Sequence, residues 1–244
     1  MSRIVLLGAL AALAAVLGAA GAPAATTADE CRGLMVCLPV PGPWVEIPPR
    51  AGAAPARVAF ELRCPLAGYI VAGTDVRLAE REIDVSFRGE TGSPVTPGVT
   101  TSRAVLFTGT YVGTRRRATT FRPFLGCIPT RGGGGRDQTS VSRPAALRPT
   151  RPLERRVVTR RLQSGASIQV VARCRKGERL VEGAHAVGYY TGEAPPGETL
   201  LGAIDVARRV RGTAVVATAT ADASLPPALR VVAQVQALCR RASL

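Results

Sequence analysis

Between Val58 and Cys64 the side chains alternate: Val58, Phe60, Leu62 and Cys64 fall on one phase, Ala59, Glu61 and Arg63 on the other. Period two with one apolar face predicts a half-buried β-strand. The pattern returns at Ile168, Val170, Ala172 and Cys174. It returns again at Leu229, Val231, Ala233, Val235, Ala237 and Cys239, with Arg230, Gln234, Gln236 and Arg240 on the opposite, outward phase. In "TTFRPFLGC" Phe121, Leu125 and Cys127 share a phase, and Pro123 interrupts the ladder. Further strands are predicted in "WVEIP", "REIDVSF", "SRAVLFTGTYVG", "VVTRRL", "AHAVGYYT", "GAIDVARRV" and "TAVVATATA", separated by turn formers such as "GETGSPVTPG" and "GEAPPGE". Beyond the N-terminal segment no stretch carries a helical period.

Two of these segments are versions of one another. "VAFELRCPLAGYIVAG" (58–73) and "IQVVARCRKGERLVEG" (168–183) each place a glycine nine residues after the cysteine. Trp44 of "WVEIP" precedes Cys64 much as Val157 of "VVTRRL" precedes Cys174. Short strands separated by turns predict an all-β fold of two tandem antiparallel β-sandwich repeats, over 41–129 and 153–244. Between them, 130–152 contains four consecutive glycines and several prolines, the composition of a mobile basic linker. Few contacts are expected to cross such a tether.

Cys64 and Cys127 stand almost as far apart as Cys174 and Cys239, and all four sulfurs fall on apolar phases. That arrangement favours one buried disulfide per repeat, Cys64–Cys127 and Cys174–Cys239, with Cys31–Cys37 closing a small loop in the segment 26–40. Six cysteines allow about 15 pairings, so phase and spacing choose among them rather than dictate. Closing each long loop is worth about 4 kcal/mol in the chain-entropy model.

A cysteine pair joining an early to a late strand resembles the immunoglobulin arrangement in outline. The resemblance stops there: no tryptophan follows Cys64 or Cys174, and Leu125 and Ala237 stand where that fold places a tyrosine two residues before its second cysteine. The strand topology therefore stays open. The pattern C-x-L-A-G-x-x-V-x-G-x-D, from Cys64 to Asp75, and its second version are similar to those of exported bacterial proteins with two β-sandwich repeats from GC-rich genomes. The likeness covers most of the chain and implies no particular activity.

The N-terminus changes the expected compartment. "MSR", the apolar run "IVLLGALAALAAVL" and the small residues Ala22, Pro23 and Ala24 form a signal-peptide pattern over 1–25, cleaved or kept as an anchor. After cleavage no membrane span is expected. Export favours disulfides over metal for an even cysteine count, and a cell-envelope or secreted location.

Charge is the loudest remaining feature. The net charge is +15, and only Lys176 among the 32 basic residues is a lysine. Arginine beside so much alanine, glycine and proline is what a GC-rich coding sequence produces. Two clusters, Arg115, Arg116 and Arg117 in "GTRRRAT" and Arg208, Arg209 and Arg211 in "VARRVRG", form a candidate polyanion patch. Aromatics make up only 4% of the chain, too few for the stacking platform of a single-strand binder.

Catalytic chemistry has little to stand on. No C-x-x-C occurs, His185 is the sole histidine, and neither a G-x-S-x-G elbow nor a phosphate loop is present. No cofactor or metal is expected. The sequence points to an exported, non-enzymatic interaction or structural module whose partner is a cell-envelope component or an anionic polymer. Polyanion binding through the arginines is the first alternative, and a secreted hydrolase using His185 the second.

Overall fold

The computed structural model describes residues 37–50, 52, 54–89, 103–129 and 153–241. The signal pattern over 1–25, Cys31, nearly all of the "GETGSPVTPG" turn and the segment 130–152 lie outside the described residues. Among the described residues thirteen strands are found. The first part of the chain supplies β1 (Leu38–Pro41), β2 (Trp44–Ile47), β3 (Ala56–Arg63), β4 (Tyr69–Leu78), β5 (Ile83–Arg88), β6 (Ala104–Tyr111) and β7 (Thr119–Pro129). The second supplies β8 (Leu153–Leu162), β9 (Ser167–Arg173), β10 (Glu178–Tyr190), β11 (Ile204–Arg211), β12 (Ala214–Ala221) and β13 (Arg230–Arg241). Among the described residues there is no helix, and none long and apolar enough to cross a membrane.

All pairings are antiparallel. In the first half β7 pairs β2 and β4, while β6 pairs β3 and β5. In the second half β13 pairs β8 and β10, while β12 pairs β9 and β11. Alternation packs each three-stranded sheet against its neighbour. In β3, Ala56, Val58, Phe60 and Leu62 are buried and meet Val45, Phe121 and Leu125 in one core. In β12 and β13, Val215, Ala217, Val235 and Ala237 belong to a second core.

A disulfide crosses each core. Cys64 bonds Cys127 across a sequence separation of 63, and Cys174 bonds Cys239 across 65, as phase and spacing favoured. Each ties the residue after one sheet's strand to the middle of the other sheet. Cys37 is disulfide-bonded, and the Cys31 end of the expected small loop lies outside the described residues.

Pro123 sits inside the central strand β7, where it should break the ladder. It falls at the break between two partners: β1 pairs Phe124–Cys127 and β2 pairs Thr119–Phe121. Gly42, between those partners, donates its N–H to the Pro123 carbonyl at 2.8 Å. A Cβ on Gly42 would lie 2.7 Å from Pro123 Cγ, so only glycine allows that approach.

The halves are not held by a tether alone, which corrects the expectation of few crossing contacts. β2 also pairs β10, through Val45 with Gly188 and Trp44 with Tyr189, so strands of both halves share one seven-stranded sheet. Gln234 and Gln236, expected to face outward, are 2% and 1% exposed. They lie on the face of β13 turned toward β3. The Gln234 amide accepts from Glu61 N–H at 2.7 Å and donates to the Glu61 carbonyl at 3.0 Å, filling the edge of β3 as a neighbouring strand would. Gln236 donates to the Ala59 carbonyl at 2.9 Å. A buried backbone edge needs such partners, so the outward phase of β13 is polar because the other half covers it.

Further contacts fix the joint. Tyr189 Oη donates to Glu46 at 2.6 Å, and Trp44 Nε1 donates to the Gly192 carbonyl at 3.2 Å. Arg122, 6% exposed, donates to the carbonyls of Gly42 at 3.0 Å and Gly192 at 2.6 Å, with its guanidinium over the Phe124 ring.

Candidate functional site

Where the halves meet, a cleft of about 610 Å³ opens between the β3–β6–β5 sheet and strands of the second half. Its first wall is the outer face of the β3–β6–β5 sheet. Ile83 and Val85 turn into the first core from β5, so Ser86 and Arg88 belong to the cleft rim. Arg57 and Ala59 of β3 and Thr108 of β6 complete this wall. The second wall comes from the other half: Arg155 of β8, Glu182 to His185 of β10, Arg208 of β11 and Leu238 of β13.

Local structure explains how the second wall presents its charges. Ile204 and Val206 face the second core, and the same phase of β11 continues as Arg208. Arg208 therefore turns toward β10, and its Nη1 donates to the Gly183 carbonyl. Gly183 follows the bulge between Leu180 and Glu182, and a Cβ there would lie 2.5 Å from Val215 Cγ2. Glycine thus keeps β10 close to β12, within reach of the arginine. Arg155 donates to Gln236 Oε1 at 2.9 Å, the same glutamine that holds the Ala59 carbonyl, which orients this guanidinium from behind.

The electrostatics are lopsided. Among the described residues four arginines, two from each half, line the cleft against one lining acid, Glu182, with Glu61 near Arg155. Among the described residues no carboxylate pairs with Arg57, Arg88 or Arg208 within 4 Å. Burial pushes the Arg155 guanidinium below its ordinary value, opposed by Glu61 and Glu182 and reinforced by Arg88. Burial, and then the neighbouring Arg208 charge, push His185 below the ordinary imidazole value of 6.5. A cationic cleft without a matching set of acids carries a positive potential.

The residues singled out in the sequence divide. Arg208 and His185 lie in the cleft. Arg115 and Arg117 stand 3.8 Å from Glu80, and Arg117 pairs Glu198 at 2.6 Å, so two members of that cluster are matched locally. Arg116 is exposed. Arg209 and Arg211 take the opposite phase of β11 from Arg208. Sequence reasoning missed Arg57, Arg88, Ser86 and Glu182, and reached Arg155 only as one of the nine arginines over 131–161. One available signal was an arginine on the otherwise apolar phase of β11. Another was a pair of uncharged glutamines on a strand flanked by arginines.

Ser86, His185 and Glu182 share the cleft, but among the described residues no hydrogen bond joins them. Cys174, Glu178 and Cys239 place ligand-type atoms within 4.8 Å of one another, yet the two sulfurs are bonded together and offer no thiolate. The chain matches no protein-family model, no curated protein and no solved structure.

Proposed function

We propose that this protein is an exported, non-enzymatic binding module at or outside the cell envelope, and that the cleft between its halves receives an anionic ligand. One observation carries the reading: two arginines from each half face a shared cleft whose lining, among the described residues, holds one acid, Glu182. The N-terminal pattern and the two disulfides across the cores support an oxidising compartment. The "GTRRRAT" arginines carry less of this reading, since Arg115 and Arg117 stand beside Glu80.

Titration calorimetry with inorganic phosphate at low ionic strength tests it. Binding should weaken as salt rises and should fall about tenfold or more in the Arg57→Ala/Arg88→Ala variant, because each lost charge-assisted contact is worth about 1.5–3 kcal/mol. Neither arginine side chain has a folding partner among the described residues, so the variant should stay folded. Equal phosphate binding in wild type and variant contradicts the reading, as does failure of the wild type to bind phosphate or any multivalent oxyanion.

The placement of Ser86, His185 and Glu182 in one cleft favours a second reading, a hydrolase with Ser86 as nucleophile and His185 as base. It requires release of chromophore from an activated ester that stops in both Ser86→Ala and His185→Gln. Without that dependence the hydrolase reading fails.

A further inference from the structure

The cleft's size and lining say more about its ligand than its sign. A volume of about 610 Å³ has room for about twenty waters at about 30 Å³ each, far more than one phosphate or sulfate displaces. It falls in the usual range for small-molecule sites, about 300–1,000 Å³. The arginines come from four different strands, β3, β5, β8 and β11, and since a forked contact takes two oxygens, four of them would use more oxygens than a single tetrahedral ion has. Among the described residues no Phe, Tyr or Trp lines the cleft, which leaves a nucleobase only the His185 ring and the guanidinium planes to stack on.

Resting on the anion-site reading above, we infer that the cleft is a receptor for a compact multivalent oxyanion, several phosphate or sulfate groups on one small non-aromatic frame, gripped by guanidinium groups of both halves at once. Planar guanidinium forks match these groups better than point charges do, and the chain's basic residues are almost all arginine. Two of the four are already oriented, Arg155 by Gln236 and Arg208 by the Gly183 carbonyl. Arg57 and Arg88, on the opposite wall, have no such anchor among the described residues and are free to close on the ligand. Four guanidinium charges against the carboxylates of Glu182 in the lining and Glu61 near Arg155 leave a positive surplus that favours the more highly charged oxyanion. His185, beside Arg208, becomes a further donor once the ligand's charge favours its protonation.

The full-length folded protein, titrated calorimetrically with inorganic phosphate, tripolyphosphate, ATP and sucrose octasulfate at one fixed low ionic strength, tests the inference. Tripolyphosphate or sucrose octasulfate should bind at least about tenfold more tightly than phosphate, with the preferred one identifying the source chemistry. ATP should bind within about threefold of tripolyphosphate, because no Phe, Tyr or Trp among the described residues offers its base a stacking platform. Arg57→Ala in one half and Arg208→Ala in the other should each weaken the favoured ligand about tenfold, the size of one lost charge-assisted contact. A second pair, Arg88→Ala and Arg155→Gln, should behave alike, so a folding defect in one variant leaves the test intact. Phosphate binding as tightly as every multivalent probe overturns the inference and leaves the anion site standing. Failure of all four probes overturns both, and tight binding indifferent to all four variants moves the site elsewhere. A preference for ATP above tenfold over tripolyphosphate contradicts the non-aromatic frame.

Discussion

At the scale of single residues, Gln234 carries more of the structure than its polar character suggests. Its amide satisfies both backbone groups of Glu61, and Gln236 donates to Ala59 while accepting from Arg155. Truncation leaves buried groups without partners, at about 1–3 kcal/mol each. Gln234→Ala is therefore expected to lower the thermal midpoint by about 2–4 °C for every kcal/mol lost, read by calorimetry. An unchanged midpoint would mean that water replaces the amide.

His185 makes the second residue-scale prediction. Its own strand contributes Glu182, and the other cleft elements contribute Arg208, Arg155, Arg57 and Arg88, with the Ser86 hydroxyl. Its folded value is depressed below 6.5, so below that pH the unfolded chain binds more protons than the folded one. Its contribution is full above pH 6.5 and is lost as pH falls toward and past the depressed value. An anion in the cleft opposes that loss, so ligand affinity should rise over the same interval. His185→Gln should flatten both dependences, measured by urea midpoints and calorimetry from pH 7.5 to about 5.

At the scale of elements, hydropathy phase made the strands legible and left their neighbours hidden. β3, β9 and the alternating part of β13 are set by a period of two, and the cysteines on that phase found their partners. Pro123 obscured β7, because its lost donor is harmless only where β1 and β2 leave a gap, a fact of the partner strand. β10 begins six residues ahead of the expected strand "AHAVGYYT", since Gly177 with φ 81° closes a tight hairpin and the strand starts at Glu178. The cleft was nearly invisible for the same reason: Arg57, Arg88 and Arg155 look like ordinary solvent-facing arginines until the other half is set against them. Gly188 belongs to this scale, because its Cβ would lie 2.5 Å from Pro43 Cγ at the β2–β10 joint. Gly188→Ala should destabilise by about 1–3 kcal/mol in urea titrations, whereas Gly177→Ala, with open space around it, should be limited to the strain of its backbone.

At the scale of the whole molecule the halves behave as one body if the joint is as continuous as its contacts. Trp44, the only tryptophan, lies 2% exposed at the β2–β10 joint and reports directly on it. Its fluorescence and the far-ultraviolet signal of all the strands should change together in a single urea transition. An early fluorescence change would show the joint opening while the halves persist. Reducing the two long-range disulfides should cost about 4 kcal/mol each on the chain-entropy model and move that transition to lower urea.

The central claim is that both halves build one anion receptor. Amide chemical-shift mapping of the folded protein during a tripolyphosphate titration tests it most directly. The account predicts that resonances of Arg57, Ser86 and Arg88 in one half and of Gly183, His185 and Arg208 in the other shift along one saturating curve with a single dissociation constant. Shifts confined to one half, or centred on Arg115 to Arg117, would contradict it.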